Sequence, residues 1–549
     1  MEKRLLAAAG LSLVVLLAWE WLGPKPPRRP APPVIPTPAS SSAPAAGVSN
    51  ASAPTASEAA AAAPALPAPA SAEAETLTTI SNDVVRATFS NRGGVLTSFV
   101  LTGHFDEQKK PLELVRTLPP ELPRNLSLDF GADSATTKKV SQALFVVERD
   151  ANDHVRFRYA DGGVAVEKEI RLGKGYLFDI SVRVTGPAYG VVLGPGLRNP
   201  TDAERAWRYV MPTSAIFATA NGLKVVNPQK ATDKDVWPLP ARSFGGIEDN
   251  YFLQALIPKV PTTGRVATFS VPRPEGKPVL EIATVVSGPG VLDASAYMGP
   301  KDVTILESYG LNLERTVDFG WYGVLARPLL WLMRKAYGLV GNWGLAILVV
   351  TFLIRVLLFP LTAKSYVSMK KMQKLAPRIN AIRDKYKKAK SDPAQRQKMN
   401  TEMMALYQAE GANPMSGCLP MILQLPILFA FYKVLSNAIE LRQAPFFLWV
   451  KDLSAIDGTY ILVILMIVSM YVQQAMTPST MDPAQKKIFM FMPVFMGFVF
   501  KDMPAGLVLY WLFSNLLTIV QQLVMNRIVK EDDPAPPARG AKALKQARA

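Results

Sequence analysis

Thiol and imidazole groups are almost missing from this chain: its 549 residues contain one cysteine, Cys418, and two histidines, His104 and His154. A single thiol excludes an intrachain disulfide, and so few thiol and imidazole groups argue against a Cys/His zinc set. No glycine-rich phosphate cradle and no nucleophile paired with a base stand out, so no cofactor, metal or catalytic residue is expected. Carboxylates are absent where they would matter most. Between Leu345 and Met525 no Asp or Glu falls inside an apolar run; Glu440, Asp452, Asp482 and Asp502 all lie near run ends.

What is present divides into two kinds of material. The composition is 49% hydrophobic and 19% charged, which suits a chain shared between bilayer and water, and the formal net charge of +17 favours acidic partners. The central feature is the stretch Gly341 to Thr362, GNWGLAILVVTFLIRVLLFPLT, close to the ~20 apolar residues that span a bilayer. Trp343 marks one interface and the basic segment from Lys364 the other, which places the latter in the cytoplasm. Arg355 therefore sits in the cytoplasmic half of the membrane. An arginine there costs from about 2.5 to 3.5 kcal/mol on insertion scales to more than ~10 in simulations, so something must compensate it.

In chain order, residues 1–22 read as a transmembrane anchor with its amino terminus inside, cleavage in the alanine-rich stretch beyond being the other reading. Residues 23–75 are a Pro/Ala/Ser-rich tether. Residues 76–318 carry short alternating segments such as VVRATFS at Val84 and VAVEKEIRL at Val164, separated by turns such as Asp161-Gly162-Gly163, which predicts an extracytoplasmic antiparallel β-sandwich. Its acidic residues, Glu167 and Glu169 among them, alternate as solvated strand faces do; sugar or peptide binding in a sandwich groove is the functional alternative. Residues 319–338 predict an interfacial amphipathic helix with Trp321, Leu325, Leu329, Leu332 and Ala336 on one face.

Residues 339–527 form the expected membrane core, with a helical hairpin at 364–412. Tyr366, Met369, Met372, Leu375, Ile379, Ile382 and Tyr386 give one seam and Met399, Met403 and Leu406 the other, with Asp392 as N-cap and Pro393 at the first helical position of the second arm. Lys370, Lys371, Lys374, Arg378, Arg383 and Lys385 coat the outside, either to fix topology or as a docking surface for RNA, lipid headgroups or an acidic chain. Further apolar segments at about 416–436, 459–475, 488–500 and 505–525 bring the spans to six, and a basic tail occupies 528–549. The reading is a polytopic α-helical membrane protein: six transmembrane helices, five of them forming the core bundle, an inserted all-β sandwich and a cytoplasmic helical hairpin. Both termini fall inside.

Polar residues recur within the spans. Thr351, Arg355 and Thr362 share a face of the central helix; Trp511, Asn515, Thr518 and Gln522 follow a four, three, four rhythm, flanked by Tyr510, Ser514 and Gln521; Gln424, Ser469 and Gln473 lie on others. Interhelical hydrogen bonds explain most of these. For Arg355 two readings remain: snorkelling to the interface, or a wet cavity whose charge awaits a mobile anion, either a solute or an acidic client segment.

VGNWGLAILVVTFLIRVLLFPLTAKSYVSMKKMQKLAPRI, NPMSGCLPMILQLPILFAFYKVL, ELRQAPFFLWVKDLS, FMPVFMG and PAGLVLYWLFSNLLTIVQQ occur in this order, and together they resemble the YidC family of membrane-protein insertases over about 318–527. The sandwich resembles that of the Gram-negative members more loosely. The resemblance implies that Arg355 is the positive charge of a hydrophilic groove open to cytoplasm and lipid, that Thr351, Gln424, Tyr510 and Trp511 line it, and that the hairpin is client-receiving and ribosome-proximal. The family commonly has a second tyrosine where Trp511 stands. Thr518 and Gln522 join the groove by the stripe they share. The implied partners are nascent membrane proteins, the Sec translocon, the ribosome transiently and the phospholipid bilayer of a bacterial inner membrane, with no specific DNA. The alternative from another class is a secondary solute transporter or channel with Arg355 as anion site.

Overall fold

The computed structural model describes residues 70–200, 213–232, 235–272, 278–288, 290–386, 392–412, 419–477 and 483–528. The expected anchor, most of the tether, Cys418 and the basic tail beyond Ile528 lie outside these. Alternation in the amino-terminal half produces three antiparallel sheets. Four strands, Leu77–Ser81, Val85–Ser90, Val95–Phe105 and Pro111–Glu113, form one in sequential order. The second orders Val236–Leu239, Thr262–Val271, Val279–Gly288, Tyr189–Leu193 and Leu128–Asp129. The third, nine strands wide, contains Gly222–Val226, Ser214–Thr219, Gly245–Glu248, Phe252–Pro258, Val291–Pro300, Leu177–Thr185, Val164–Leu172, His154–Asp161 and Val146–Ala151.

The nine-stranded sheet is the common layer. Phe217 on it stacks on Trp237 of the five-stranded sheet with ring centroids 4.6 Å apart, and Phe89 and Phe99 of the four-stranded sheet tilt against Phe157 and Phe178 on it. Glu167 and Glu169 face outward, as alternation predicts, in a ladder with Arg156, Arg183 and His154. Alternation also turns Lys168 inward. It is fully buried among Val164, Val166, Ile170 and Leu172 and donates to the carbonyls of Gly93, Gly94 and Leu126 at 2.9, 3.0 and 2.9 Å. A short helix, α1 (Ser134–Gln142), interrupts the strands and was not expected; Asp133 caps it by accepting from the Thr136 amide.

A second short helix, α2 (Val303–Ser308), leads out of the sandwich to α3 (Gly323–Val340) and, across Gly341 in the left-handed conformation, to α4 (Trp343–Lys374). The buried face of α3 is Ala326, Leu329, Leu330, Met333 and Ala336. The expected stripe is thereby corrected: Trp321 precedes the helix in a 3-10 turn and stands in the open with Leu325, because the protein-facing and outward-facing apolar residues of α3 form two stripes rather than one.

Asn342 caps α4 by accepting from the Leu345 amide. The expected separation of central span and first hairpin arm is also corrected, since α4 is one helix of 32 residues that runs past Thr362 to Lys374. The chain yields only at Leu375, two residues before Pro377, whose ring is tolerated in the first turn of α5 (Ala376–Lys385). Asp392 then caps α6 (Pro393–Ala409), accepting from the Ala394 amide. Leu375 and Ile379 pack with Met372, Met403, Leu406 and Tyr407, and the pairs Arg378–Glu410 and Lys385–Glu402 tie the arms in antiparallel register.

The remaining helices are α7 (Leu419–Asn437), α8 (Ile461–Met476), α9 (Pro483–Phe500) and α10 (Ala505–Ile528). Among the described residues, α4 and α10 are long and apolar enough to cross a membrane, whereas the apolar parts of α7, α8 and α9 are shorter. Leu357, Phe491 and Phe498 stand exposed on this bundle, an outward apolar surface that water does not favour.

Candidate functional site

Three helices bring the polar groups together. Thr351 and Arg355 lie one turn apart on α4; Tyr510 and Ser514 have the same spacing on α10; Gln424 comes from the first turns of α7. The Arg355 guanidinium donates to Ser514 Oγ, through Nε at 3.1 Å and through a second nitrogen. Gln424 donates from its amide to the Tyr510 hydroxyl and, at 3.5 Å, to Ser514 Oγ. Among the described residues no carboxylate pairs with Arg355. Its one bonded oxygen belongs to a neutral hydroxyl, so the charge is oriented without being neutralised.

Packing closes the cluster at one end. Tyr510 is buried and stacks on Phe431 of α7 at 4.1 Å, and Thr351 turns its hydroxyl back to the Ile347 carbonyl at 2.6 Å. Toward the other end the side chains become polar: Gln521 donates to Thr362 Oγ1 at 2.7 Å and Tyr366 to Asn526 Oδ1 at 2.7 Å.

The stripe expected on α10 divides between faces. Tyr510, Ser514 and Gln521 turn to α4 and α7, and Thr518 bonds back to the Ser514 carbonyl at 2.9 Å. Asn515 instead donates to Ser469 of α8 at 3.2 Å, and Gln522 to Thr477 just beyond α8 at 3.0 Å. Gln522 therefore leaves the expected cluster, because at about 100° per residue it lies on the flank of α10 that α8 covers. Trp511 packs on Phe500 of α9 at 5.3 Å. Ser514 is the residue the sequence reading left out of the site. Its signal was the four-residue spacing from Tyr510.

Two family models divide the chain between them. One, described as 60Kd inner membrane protein, matches residues 335–532, and the other, the YidC periplasmic domain, matches 77–332. A protein of Syntrophus aciditrophicus named membrane protein insertase YidC is 36% identical over 486 residues, 83% of this chain and 86% of its own. One of the same name from Pelobacter propionicus is 34% identical over 569 residues, 97% of this chain and 100% of its own. The chain belongs to the YidC family. A solved structure titled as an active YidC insertase with its first transmembrane domain resolved is 22% identical, covers 82% of this chain and 93% of that one, and superposes with a TM-score of 0.37.

Within the YidC frame the β-rich half is the periplasmic domain and the helical half belongs to an inner-membrane protein. The two halves touch through specific bonds. Asn250 donates to the Ser436 carbonyl at 3.3 Å, Arg442 donates to the Phe105 carbonyl at 3.1 Å while lying over the Phe252 ring, and Arg334 of α3 pairs with Glu440 and reaches Thr304. Of the basic residues expected to coat the hairpin, Arg378 and Lys385 are occupied with Glu410 and Glu402, Lys370 lies over the Tyr366 ring, Arg383 is half-buried, and Lys371 and Lys374 are exposed.

Proposed function

We propose that this chain is a membrane-protein insertase and chaperone that receives nascent hydrophobic proteins in a hydrophilic groove carrying Arg355 and releases them sideways into the bilayer. The observation that carries this reading is a guanidinium within an apolar helix whose partner is a hydroxyl and not a carboxylate. A charge held that way attracts an acidic, hydrated segment and shares its desolvation, while Gln424, Tyr510, Ser514 and Thr518 offer hydrogen bonds to a chain that has left water. The packing of Phe431 on Tyr510 supports closure toward the periplasm, and the proposed opening is toward the cytoplasm. The apolar segment of the client slides out past α7 and α10, and Trp511 serves as an aromatic wall.

In this reading the chain crosses the inner membrane six times, counting the anchor at residues 1–22, with α7, α8 and α9 as short spans in a thinned bilayer and both termini in the cytoplasm. The hairpin of α5 and α6 with the end of α4 is cytoplasmic and receives the client near the ribosome, its outer basic residues meeting RNA or acidic chain; the Sec translocon is a partner for clients handed on during translocation.

Reconstitution of Arg355→Ala tests the charge. Insertion of clients with acidic translocated tails is expected to fall about tenfold or more, and Arg355→Lys to retain much of the activity, since the role asked for is a point charge. Undiminished insertion by Arg355→Ala would remove that role.

A further inference from the structure

Helices α4 and α10 run parallel and keep one register from end to end. At the periplasmic end a Cβ added to Gly506 would meet Ile347 at 3.4 Å, as well as Leu435 at 2.9 Å, so the helices approach closely there. Arg355 and Ser514 follow, 159 positions apart in sequence. Thr362 and Gln521 are again 159 apart, and Tyr366 and Asn526 are 160 apart. At ~1.5 Å rise per residue the stretch from Ile347 to Tyr366 covers roughly 28 Å, close to the ~30 Å of a hydrocarbon core. Sliding either helix would break every rung together. Separating them would strand several polar groups where water is scarce.

On the α7 side, Gln424 supplies a polar contact at the level of Arg355 through Tyr510 and Ser514. We propose that the α4–α10 seam is the closed back wall of the groove, and that Thr362, Gln521, Tyr366 and Asn526 are positioning residues that keep it closed and hold Arg355 over Ser514. This rests on the insertase reading. Because α4 continues unbroken into the hairpin, the Tyr366 rung also fixes where the first arm emerges.

The test uses the full chain with Cys418→Ser in proteoliposomes. Cysteine pairs at Thr362 and Gln521, or independently at Tyr366 and Asn526, are bridged with a short bis-methanethiosulfonate reagent, and insertion of a client with an acidic translocated tail is compared before and after bridging. Bridging either pair is expected to leave insertion within about twofold of the same unbridged variant. A loss of about tenfold or more on bridging either pair means that clients pass between α4 and α10, and overturns the proposal. Gln521→Leu, which removes a rung without cysteines, is expected to slow acidic-tail clients about three- to tenfold while leaving a client with an uncharged tail within about twofold. Equal loss for both clients overturns the positioning role. Insertion by the unmodified chain is measured alongside; its absence defeats the insertase reading itself, and this proposal with it.

Discussion

Lys168 places its amine in the core of the periplasmic domain, within hydrogen-bond reach of three backbone carbonyls and 5.8 Å from the Phe145 ring. Burial pushes the amine down from an ordinary 10.5 to about 7. The unfolded chain then holds the proton more tightly than the folded one, so the stability of the domain rises with pH from about 7 toward 10.5 and is flat below that window. The slope is at most ~1.4 kcal/mol per pH unit. Thermal unfolding of the full chain in detergent at pH 7, 8 and 9, followed by its β signal, reads the slope. Lys168→Met is expected to abolish it and to cost on the order of 2 to 4 kcal/mol, because the three carbonyls lose their donor. The parity of VAVEKEIRL already assigns Lys168 to the side of Val166 and Ile170. What it does not contain is the turn at Gly93 and Gly94, 75 and 74 positions away, that makes the inward lysine tolerable. Ser514 is the same lesson in the membrane: its spacing from Tyr510 is legible, but the approach of Arg355 depends on how α4 and α10 are laid together.

At the scale of elements, periodicity identifies polar faces and leaves their partners undetermined. On α10, Tyr510 and Ser514 face the arginine, whereas Asn515 and Gln522 fasten the helix to the α8 side. Gln522→Leu is accordingly expected to lower bundle stability by ~0.6 to 2 kcal/mol and to slow acidic-tailed and uncharged clients equally; a selective loss for acidic tails would return Gln522 to the groove. The hairpin shows a related limit. Its Asp392 cap and part of its seams, Met372, Leu375 and Ile379 against Met403 and Leu406, are readable as local signals, whereas Tyr366 turns to Asn526 of α10, and an apolar run ending at Thr362 gives no reason to expect that α4 continues to Lys374. In the proposed docking role, the exposed Lys371 and Lys374 at the end of α4 carry part of the charge. Lys371→Glu combined with Lys374→Glu should weaken binding of ribosome–nascent-chain complexes about tenfold at low salt and flatten its salt dependence, measured by co-sedimentation; unchanged binding would assign those lysines to topology alone.

For the whole molecule, the periplasmic domain is seated on the outer ends of the bundle through Asn250–Ser436 and Arg442–Phe105, at the far end of α7 from Gln424. In the proposed reading, the domain braces the closed end of the groove rather than the charged part. Removing residues 76–318 is expected to leave most insertion activity while lowering the melting temperature of the bundle, as followed by insertion in proteoliposomes and by thermal shift; loss of all insertion would place the domain in the mechanism. The sandwich and the membrane bundle were legible as classes because alternation with period two and long apolar runs are strong local patterns. The docking between them was not, since it joins residues about 186 and 337 positions apart through single bonds.

Passage of clients beside the unneutralised Arg355 is read out by photocrosslinking a stalled nascent chain with an acidic tail to probes placed singly at Gln424, Thr518 and, as an outward-facing control, Leu357. Strong adducts are expected from Gln424 and Thr518, weakening when the chain carries Arg355→Ala, with only background from Leu357. Adducts confined to Leu357, or adducts at Gln424 and Thr518 indifferent to Arg355→Ala, would contradict it.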